Sequence, residues 1–231
     1  MPQNTIQQRE KMTENKKINP NPALKNQTEG VKTLLGEPKK AVMKLAVPMI
    51  LAMLIQTVYN LADALWVSGL GADALAAVGF VFPFFMMIMA LGTGIGLGSG
   101  SAISRKIGAE DKTGADNIAA HSMALLIIIY LAFSIPLTFF SQPIFEALGT
   151  GETLSLTVSY AKVIFIGSFF IFFSNIANAI LRGEGDAKRA MYALALGSGL
   201  NIILDPIFIY TLNMGVAGAA WATILSFAIA S

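Results

Sequence analysis

Two carboxylates stand out in the sequence because they lie within long apolar segments. Asp63 occurs in "YNLADALW" and Asp205 in "GLNIILDPIFI", whereas the other acidic residues fall in the polar N-terminal tail or between apolar stretches. Ionisable groups inside membrane-spanning segments are rare and are candidates for function. A proton or Na⁺ would discharge such a carboxylate, so both residues are candidates for a site that binds a coupling ion.

Each carboxylate has polar neighbours on its own helix face, because residues three and four apart in an α-helix are adjacent. Three polar stripes on separate apolar segments are Gln56, Asn60 and Asp63 with Tyr59 beside them, then Asn175 and Asn178, then Ser198, Asn201 and Asp205. We expect these stripes to line one shared, partly hydrated cavity. The alternative is that the amide side chains only hydrogen-bond helices together. Neutral groups would suffice for that role, so it leaves the carboxylates unexplained.

The elements that position these residues are long apolar helices. The chain has 231 residues, of which 55% are hydrophobic and 13% charged, which is about half the charged fraction of a soluble domain. A helix that crosses a bilayer needs about 20 apolar residues. Six segments meet or approach this length, namely Ala41–Trp66, Ala74–Gly98, Asn117–Phe140, Leu156–Leu181, Arg189–Thr211 and Val216–Ser231. The sequence therefore predicts an all-α polytopic membrane protein with six transmembrane helices.

The basic residues predict the orientation of these helices. Lys and Arg are concentrated in the N-terminal tail and after the second and fourth apolar segments, and are absent after the first, third and fifth. Cytoplasmic connections carry an excess of Lys and Arg. We therefore expect a multi-pass protein of the cell (plasma) membrane with a cytoplasmic N terminus. Residues 1–36 are rich in Asn, Gln, Lys and Pro and are expected to be a disordered tail.

Two prolines share helices with the carboxylates. Pro48 lies in the first apolar segment and Pro206 directly follows Asp205. Each removes one helix hydrogen bond and is expected to bend its helix. We count along each helix from its basic, cytoplasmic end, at a rise of about 1.5 Å per residue. This count places both Asp63 and Asp205 in the outer part of the membrane.

Two short motifs have weaker functional interpretations. The run "GTGIGLGSG" at 92–100 does not match G-x-G-x-x-G and follows no strand, so we expect close helix packing and a loosened helix end rather than a phosphate site. The motif "GEGD" at 183–186 is similar to that of intramembrane aspartyl proteases, but Asp186 falls in a connection and no Tyr-Asp pair is present. An enzyme is therefore not expected.

Four segments, in this order and spacing, resemble the multidrug and toxic compound extrusion (MATE) family: "LADALWVSGLGADALAAVGF" (61–80), "SAISRKIGAEDKTGADN" (101–117), "LRGEGDAKRAMYALALGSGLNIILDPIFI" (181–209) and "GVAGAAWATILS" (215–226). The resemblance covers about residues 40–231. It implies an antiporter that exports amphipathic, often cationic, small molecules in exchange for H⁺ or Na⁺, with no other cofactor. It also implies twelve helices in two six-helix lobes.

On this basis we expect residues 37–231 to form the N-terminal lobe and the C-terminal lobe to be absent from the chain. The sixth segment ends at Ser231 without a polar flank, which agrees with truncation. We expect the missing lobe or a second copy as partner, besides the lipid bilayer, and no nucleic acid.

The resemblance also implies roles for individual residues. The positions that match the family's cation site, which would take H⁺ or Na⁺, are Asp63, Asn178, Asn201 and Asp205. Gln56 and Tyr59 fall where cavity-lining residues occur, and Pro48 matches a proline at which the first helix bends in some members.

Two other functions are weighed against this one. A flippase of lipid-linked sugars, from the same superfamily, would place basic residues in the cavity to hold phosphates. No span interior contains Lys or Arg, apart from Lys162 near an outer helix end, which favours cationic cargo. A membrane scaffold without transport activity would not need two carboxylates at similar depth.

Overall fold

In a computed structural model that describes residues 29–34 and 37–231, the chain is helical. The helices, in chain order, are α1 (Glu29–Leu34), α2 (Pro38–Ser68), α3 (Ala72–Gly108), α4 (Lys112–Ile129), α5 (Ile135–Phe139), α6 (Ser141–Ala147), α7 (Leu154–Gly183), α8 (Ala187–Pro206) and α9 (Gly215–Ala230). A π-helical turn at Tyr130–Ser134 joins α4 to α5, and another at Ile207–Thr211 extends α8. A 3₁₀ turn at Gly151–Thr153 precedes α7.

Five segments of the described chain are long and apolar enough to cross a membrane: Pro38–Ser68, Ala72–Gly108, Lys112–Phe139, Gly151–Gly183 and Ala187–Thr211. They contain the first five predicted spans to within one residue, so the all-α polytopic fold is confirmed. The sixth predicted span corresponds to α9. Its 16 residues fall short of the roughly 20 needed for a full crossing, so this span differs from the expectation.

The glycine run at 92–100 packs closely, as expected, but it does not loosen or end its helix. α3 continues through it to Gly108. A Cβ atom placed on Gly100 would lie 2.8 Å from the carbonyl oxygen of Ala179 on α7, and one on Gly183 would lie 2.7 Å from the carbonyl oxygen of Gly100. The hydroxyl of Ser104 donates to the carbonyl of Gly183 at 2.7 Å. The glycines thus let the backbones of α3 and α7 touch.

The N-terminal tail also differs in part from the expectation of disorder. Glu29–Leu34 form α1, and Gly30 is buried against the connection between α7 and α8. A Cβ atom on Gly30 would lie 2.6 Å from the carbonyl oxygen of Glu184. The remainder of the predicted tail, residues 1–28 and 35–36, lies outside the described residues.

The helices pack as two groups joined by α9. α3 packs along α7 and α4, α2 packs along α8, and α9 contacts both α7 and α8. The beginnings of α2 and α8 lie together, since Pro48 and Lys188 line one groove. Their ends also lie together, since the Tyr210 hydroxyl donates to the carbonyl of Trp66 at 2.6 Å. The two helices are therefore parallel, which places the two membrane carboxylates side by side.

The prolines differ in their effect on the helices. α2 is helical through Pro48, whereas Pro206 is followed directly by a π-helical turn in which Leu212 N donates to the carbonyl of Ile207 at 2.8 Å. Pro136 also lies next to a π-helical turn, but that turn precedes the proline. A proline cannot donate to the preceding turn, and π-turns are one way in which helices accommodate such a break. The bends at Pro48 and Pro206 stay predictions.

Candidate functional site

Asp205 on α8 is the centre of a buried polar cluster. Its exposed fraction is 0%, and that of Asn201, one turn earlier, is 1%. With the amide oriented so that its nitrogen faces Asp205, Asn201 donates to Asp205 Oδ2 at 2.8 Å. The amide oxygen then accepts from Oγ1 and from N of Thr223 on α9, at 3.3 Å each. The predicted Asn-x-x-x-Asp pair is therefore in direct contact, and α9 holds its orientation.

Asp63 on α2 lies within hydrogen-bonding reach of Asp205. It is partly buried, whereas Asp205 is fully buried. The parallel packing of α2 on α8 is the cause of this contact. Two carboxylates at such a separation repel each other strongly away from bulk water, unless a proton or a cation lies between them. The pair therefore has the chemistry of a site that takes up a proton or a small cation.

Two tyrosines lie beside the carboxylate pair. Tyr59, which is buried on α2, lies close to Thr223. Tyr160, on α7, is close enough to interact electrostatically with both carboxylates. Sequence reasoning missed Thr223 and Tyr160, because neither belongs to the stripes that carry acids or amides. Thr223 and Ser226 are three residues apart on an apolar helix, and that spacing was the available signal.

A small cavity lies next to this cluster, between α2, α7, α8 and α9. Its volume is about 20 Å³, which is enough for one ordered water molecule. Its polar lining consists of Gln56, Tyr59, Ser174, Ser198, Asn201, Thr223 and Ser226. In the described part of the chain, the buried Ser226 hydroxyl has no hydrogen-bond partner. Gln56 and Tyr59 on α2 and Ser198 on α8 are thus brought together around this cavity, and their role in lining a substrate cavity stays a prediction.

Three predicted site residues lie elsewhere. Asn178 is buried on α7, where its amide nitrogen donates to the carbonyl of Ser174 at 2.8 Å; its oxygen has no partner among the described residues. Asn175 faces α3, with its nitrogen 3.7 Å from the sulfur of Met89. Asn60 is exposed on α2. None of the three makes a hydrogen bond to the carboxylate pair within 29–34 and 37–231, so their roles stay predictions.

The carboxylate oxygens of this cluster are of the type that hard cations take. No group of three or more His, Cys, Asp or Glu is gathered among the residues that the structure describes. Hard cations take carboxylate, amide and hydroxyl oxygens. Asp63 and Asp205 offer carboxylate oxygens, with the Asn201 amide and the Thr223 hydroxyl next to them, and the same carboxylates would accept a proton.

Comparison with known proteins gives similarity over most of the chain. Residues 48–207 match the MatE family model. The multidrug export protein MepA of Staphylococcus aureus is 32% identical over 193 residues, which are 81% of this chain and 42% of that protein. The outward-facing structure of a multidrug resistance MATE family transporter of the MOP superfamily is 54% identical, with a TM-score of 0.85, over 89% of this chain and 46% of that one.

A MOP superfamily transporter from Pyrococcus furiosus, described as having a binding pocket of reverse polarity that suggests a different function, is also 54% identical. It superposes with a TM-score of 0.85 over 89% of this chain and 46% of that one. The chain thus spans about half the length of the proteins that it matches.

Proposed function

Because the chain belongs to the MatE family, whose members are transporters rather than enzymes, we propose that it supplies the ion-coupling lobe of an antiporter. The lobe comprises residues 37–231, and the antiporter exports amphipathic, cationic compounds in exchange for H⁺ or Na⁺. The observation that carries the proposal is the contact between Asp63 and Asp205, with Asn201 donating to Asp205 at 2.8 Å. A second lobe or a second copy of this chain completes the transporter.

Uptake of the ion changes the balance of forces between α2 and α8. A proton or Na⁺ that arrives from outside removes the repulsion between the two carboxylates and draws the helices together. α2 is the element that yields, because only Pro48, Tyr59 and Val67 of its described side chains are buried. α2 therefore repacks about Pro48, and its exposed face loses its hold on the cationic substrate. The substrate must weaken ion binding by the same factor.

The charge and polarity of the site favour cationic, amphipathic cargo. No Lys or Arg lines the small cavity, and two carboxylates adjoin it. The face of α2 directed away from α8 is apolar, with Leu54, Val58 and Leu61 between 58% and 64% exposed, and it also carries the exposed amide of Asn60. Such a face suits a ligand with a large apolar body. A flippase of lipid-linked sugars finds no basic group here to hold its phosphates.

We also propose a cytoplasmic N terminus. Arg105 and Lys106 occupy the last turn of α3, and Lys188 and Arg189 the first turn of α8. All four lie on one side of the helix bundle, because Ser104 near the end of α3 donates to the carbonyl of Gly183 at the end of α7, and α8 begins shortly afterwards at Ala187. The excess of positive charge assigns this side to the cytoplasm.

The proposal is tested by ion-driven efflux of ethidium from vesicles that contain the full-length protein. Asp205→Asn keeps the shape of the side chain but removes its charge, so we expect efflux to fall to the level measured without an ion gradient. Gradients of H⁺ and of Na⁺ applied separately identify the ion. Asp73→Asn is the matched control, because Asp73 is exposed at the start of α3, and should transport normally. Wild-type efflux by Asp205→Asn would refute the proposal.

A further inference from the structure

The short helix α1 packs against the turn that joins α7 to α8 (the α7–α8 turn, residues 184–186). A Cβ atom on Gly30 would lie 2.6 Å from the carbonyl oxygen of Glu184. A Cβ atom on Gly185 would meet the carbonyl oxygen of Gly30 and would lie 2.8 Å from Cγ of Leu34. Gly30 and Leu34 are one helical turn apart, so a single face of α1 meets the α7–α8 turn.

This contact is what allows α1 to exist as a helix. α1 has six residues, whereas isolated helices shorter than about 12 residues are marginal in water. Gly30 is buried, and Val31 and Leu34 are half-buried. α1 also contacts α2 and α3. Tertiary packing therefore stabilises this helix, and loss of that packing would unfold it.

The α7–α8 turn is itself held firmly by its own hydrogen bonds. The amide of Gly185 donates to the carbonyl of Arg182 at 3.0 Å, and the amide of Asp186 donates to the carbonyl of Leu181 at 2.8 Å. Gly185 has a φ of 83°, a conformation that favours glycine. The side chain of Asp186 accepts from the amide of Arg189 at 3.1 Å. A segment that packs on this turn is therefore fixed relative to both α7 and α8.

α2 is attached to its neighbours at both ends. Three residues separate Leu34, the last residue of α1, from Pro38, the first residue of α2. A link of this length reaches at most about 14 Å, and α1 and α2 are also in direct contact. At the other end of α2, the Tyr210 hydroxyl donates to the carbonyl of Trp66 at 2.6 Å. The rings of Trp66 and Tyr210 also meet edge to face, with centroids 6.3 Å apart.

We propose that α1 is a strap that fixes the start of α2 to the α7–α8 turn, with Gly30 and Gly185 as its positioning residues. Together with the hydrogen bond at Trp66, the strap confines movement of α2 to the residues between its two ends, which include Pro48 and Asp63. A helix held at both ends can bend in its middle, but it cannot swing as a rigid rod. The strap does not depend on the transport proposed above, and it can be tested without transport.

The test measures distances between pairs of spin labels in the full-length protein. This chain contains no cysteine, so introduced cysteines are the labelling sites within it. Lys39→Cys/Lys112→Cys reports on the start of α2, and Leu65→Cys/Glu152→Cys reports on its end; all four positions are exposed. We expect one narrow distance distribution for each pair in the parent. Gly30→Ala places a Cβ atom against the backbone of the α7–α8 turn, so it should release α1 and broaden the distribution of the first pair alone.

Gly108→Ala is the matched control, because Gly108 ends α3 on the same side of the bundle and a Cβ atom there meets no atom within 4 Å. It should leave both pairs narrow. Deletion of residues 1–34 removes the strap without adding a side chain and should act like Gly30→Ala. Trypsin should cleave after Lys32 faster in Gly30→Ala than in Gly108→Ala, since cleavage follows local unfolding. A first pair that stays narrow in the deletion variant, or equal broadening of both pairs, would overturn the proposal.

Discussion

The contact between α3 and α7 allows a quantitative prediction for Gly100→Ala. The new Cβ atom would lie 2.8 Å from the carbonyl oxygen and 3.5 Å from the carbonyl carbon of Ala179. Both are backbone atoms within a long helix, so no side-chain rotation relieves the clash and the helices must separate. Overpacking of this kind costs about 1–3 kcal/mol. For a chain of this size, each kcal/mol lowers Tm by about 2–4 °C, so we expect a decrease of about 2–12 °C.

Gly98→Ala is the matched control, because it lies in the same glycine run and a Cβ there meets no atom within 4 Å. Alanine is favoured over glycine in a helix by up to about 1 kcal/mol, so Tm should stay the same or rise. The assay is the temperature at which the monodisperse peak is lost in size-exclusion chromatography, in one detergent for all variants. A Tm for Gly100→Ala equal to or above that of Gly98→Ala would refute the close backbone packing of α3 on α7.

Two further predictions concern the ends of the helices. Tyr210→Phe removes the hydrogen bond from the tyrosine hydroxyl to the carbonyl of Trp66 at 2.6 Å and should lower the free energy of unfolding by about 0.5–1.5 kcal/mol; an unchanged Tm would contradict this role. Hydrogen bonds from Lys106 and from the N–H of Gly114 hold the pKa of the Asp111 carboxyl below its usual range. The Asp111 carboxylate therefore stabilises the fold at pH values above its unfolded pKa of about 3.9. This stabilisation is lost as the pH falls through the folded pKa. Asp111→Asn keeps a side chain suited to the N-cap, so its Tm should be lower than that of the parent at neutral pH and equal to it in acid. A Tm difference that does not change with pH would rule out the charge as its cause.

The sequence alone determines the class of the protein and the location of its ionisable groups within the membrane segments. The long apolar segments predict six crossing helices, since helices satisfy their own backbone hydrogen bonds in a bilayer, and five of the six are long enough in the structure. The same segments isolate Asp63 and Asp205, because the other acids fall in the N-terminal tail or between the apolar segments. The contact between Asn201 and Asp205 is also readable from the sequence, since one helical turn separates them.

Contacts between helices could not be read from the sequence, because they depend on which faces meet. The approach of Asp63 to Asp205 requires α2 and α8 to be parallel neighbours, and Thr223 joins them only because α9 packs against α8. Asn175 illustrates the opposite outcome: it shares a stripe with Asn178, yet it faces Met89 on α3. Helix periodicity gives the face of a residue, but not the partner of that face.

Short-range rules also failed where tertiary packing overrode them. The run "GTGIGLGSG" has the composition of a loosened helix end, yet α3 continues to Gly108 because its glycines pack against the backbone of α7. Lys39 and Lys44 of α2 likewise line one groove with Lys188 of α8, which is far from them in the chain. The sequence by itself thus determines which residues carry charge within or beside the membrane. Only the tertiary structure decides which of those charges meet, because that depends on the packing of helices distant in sequence.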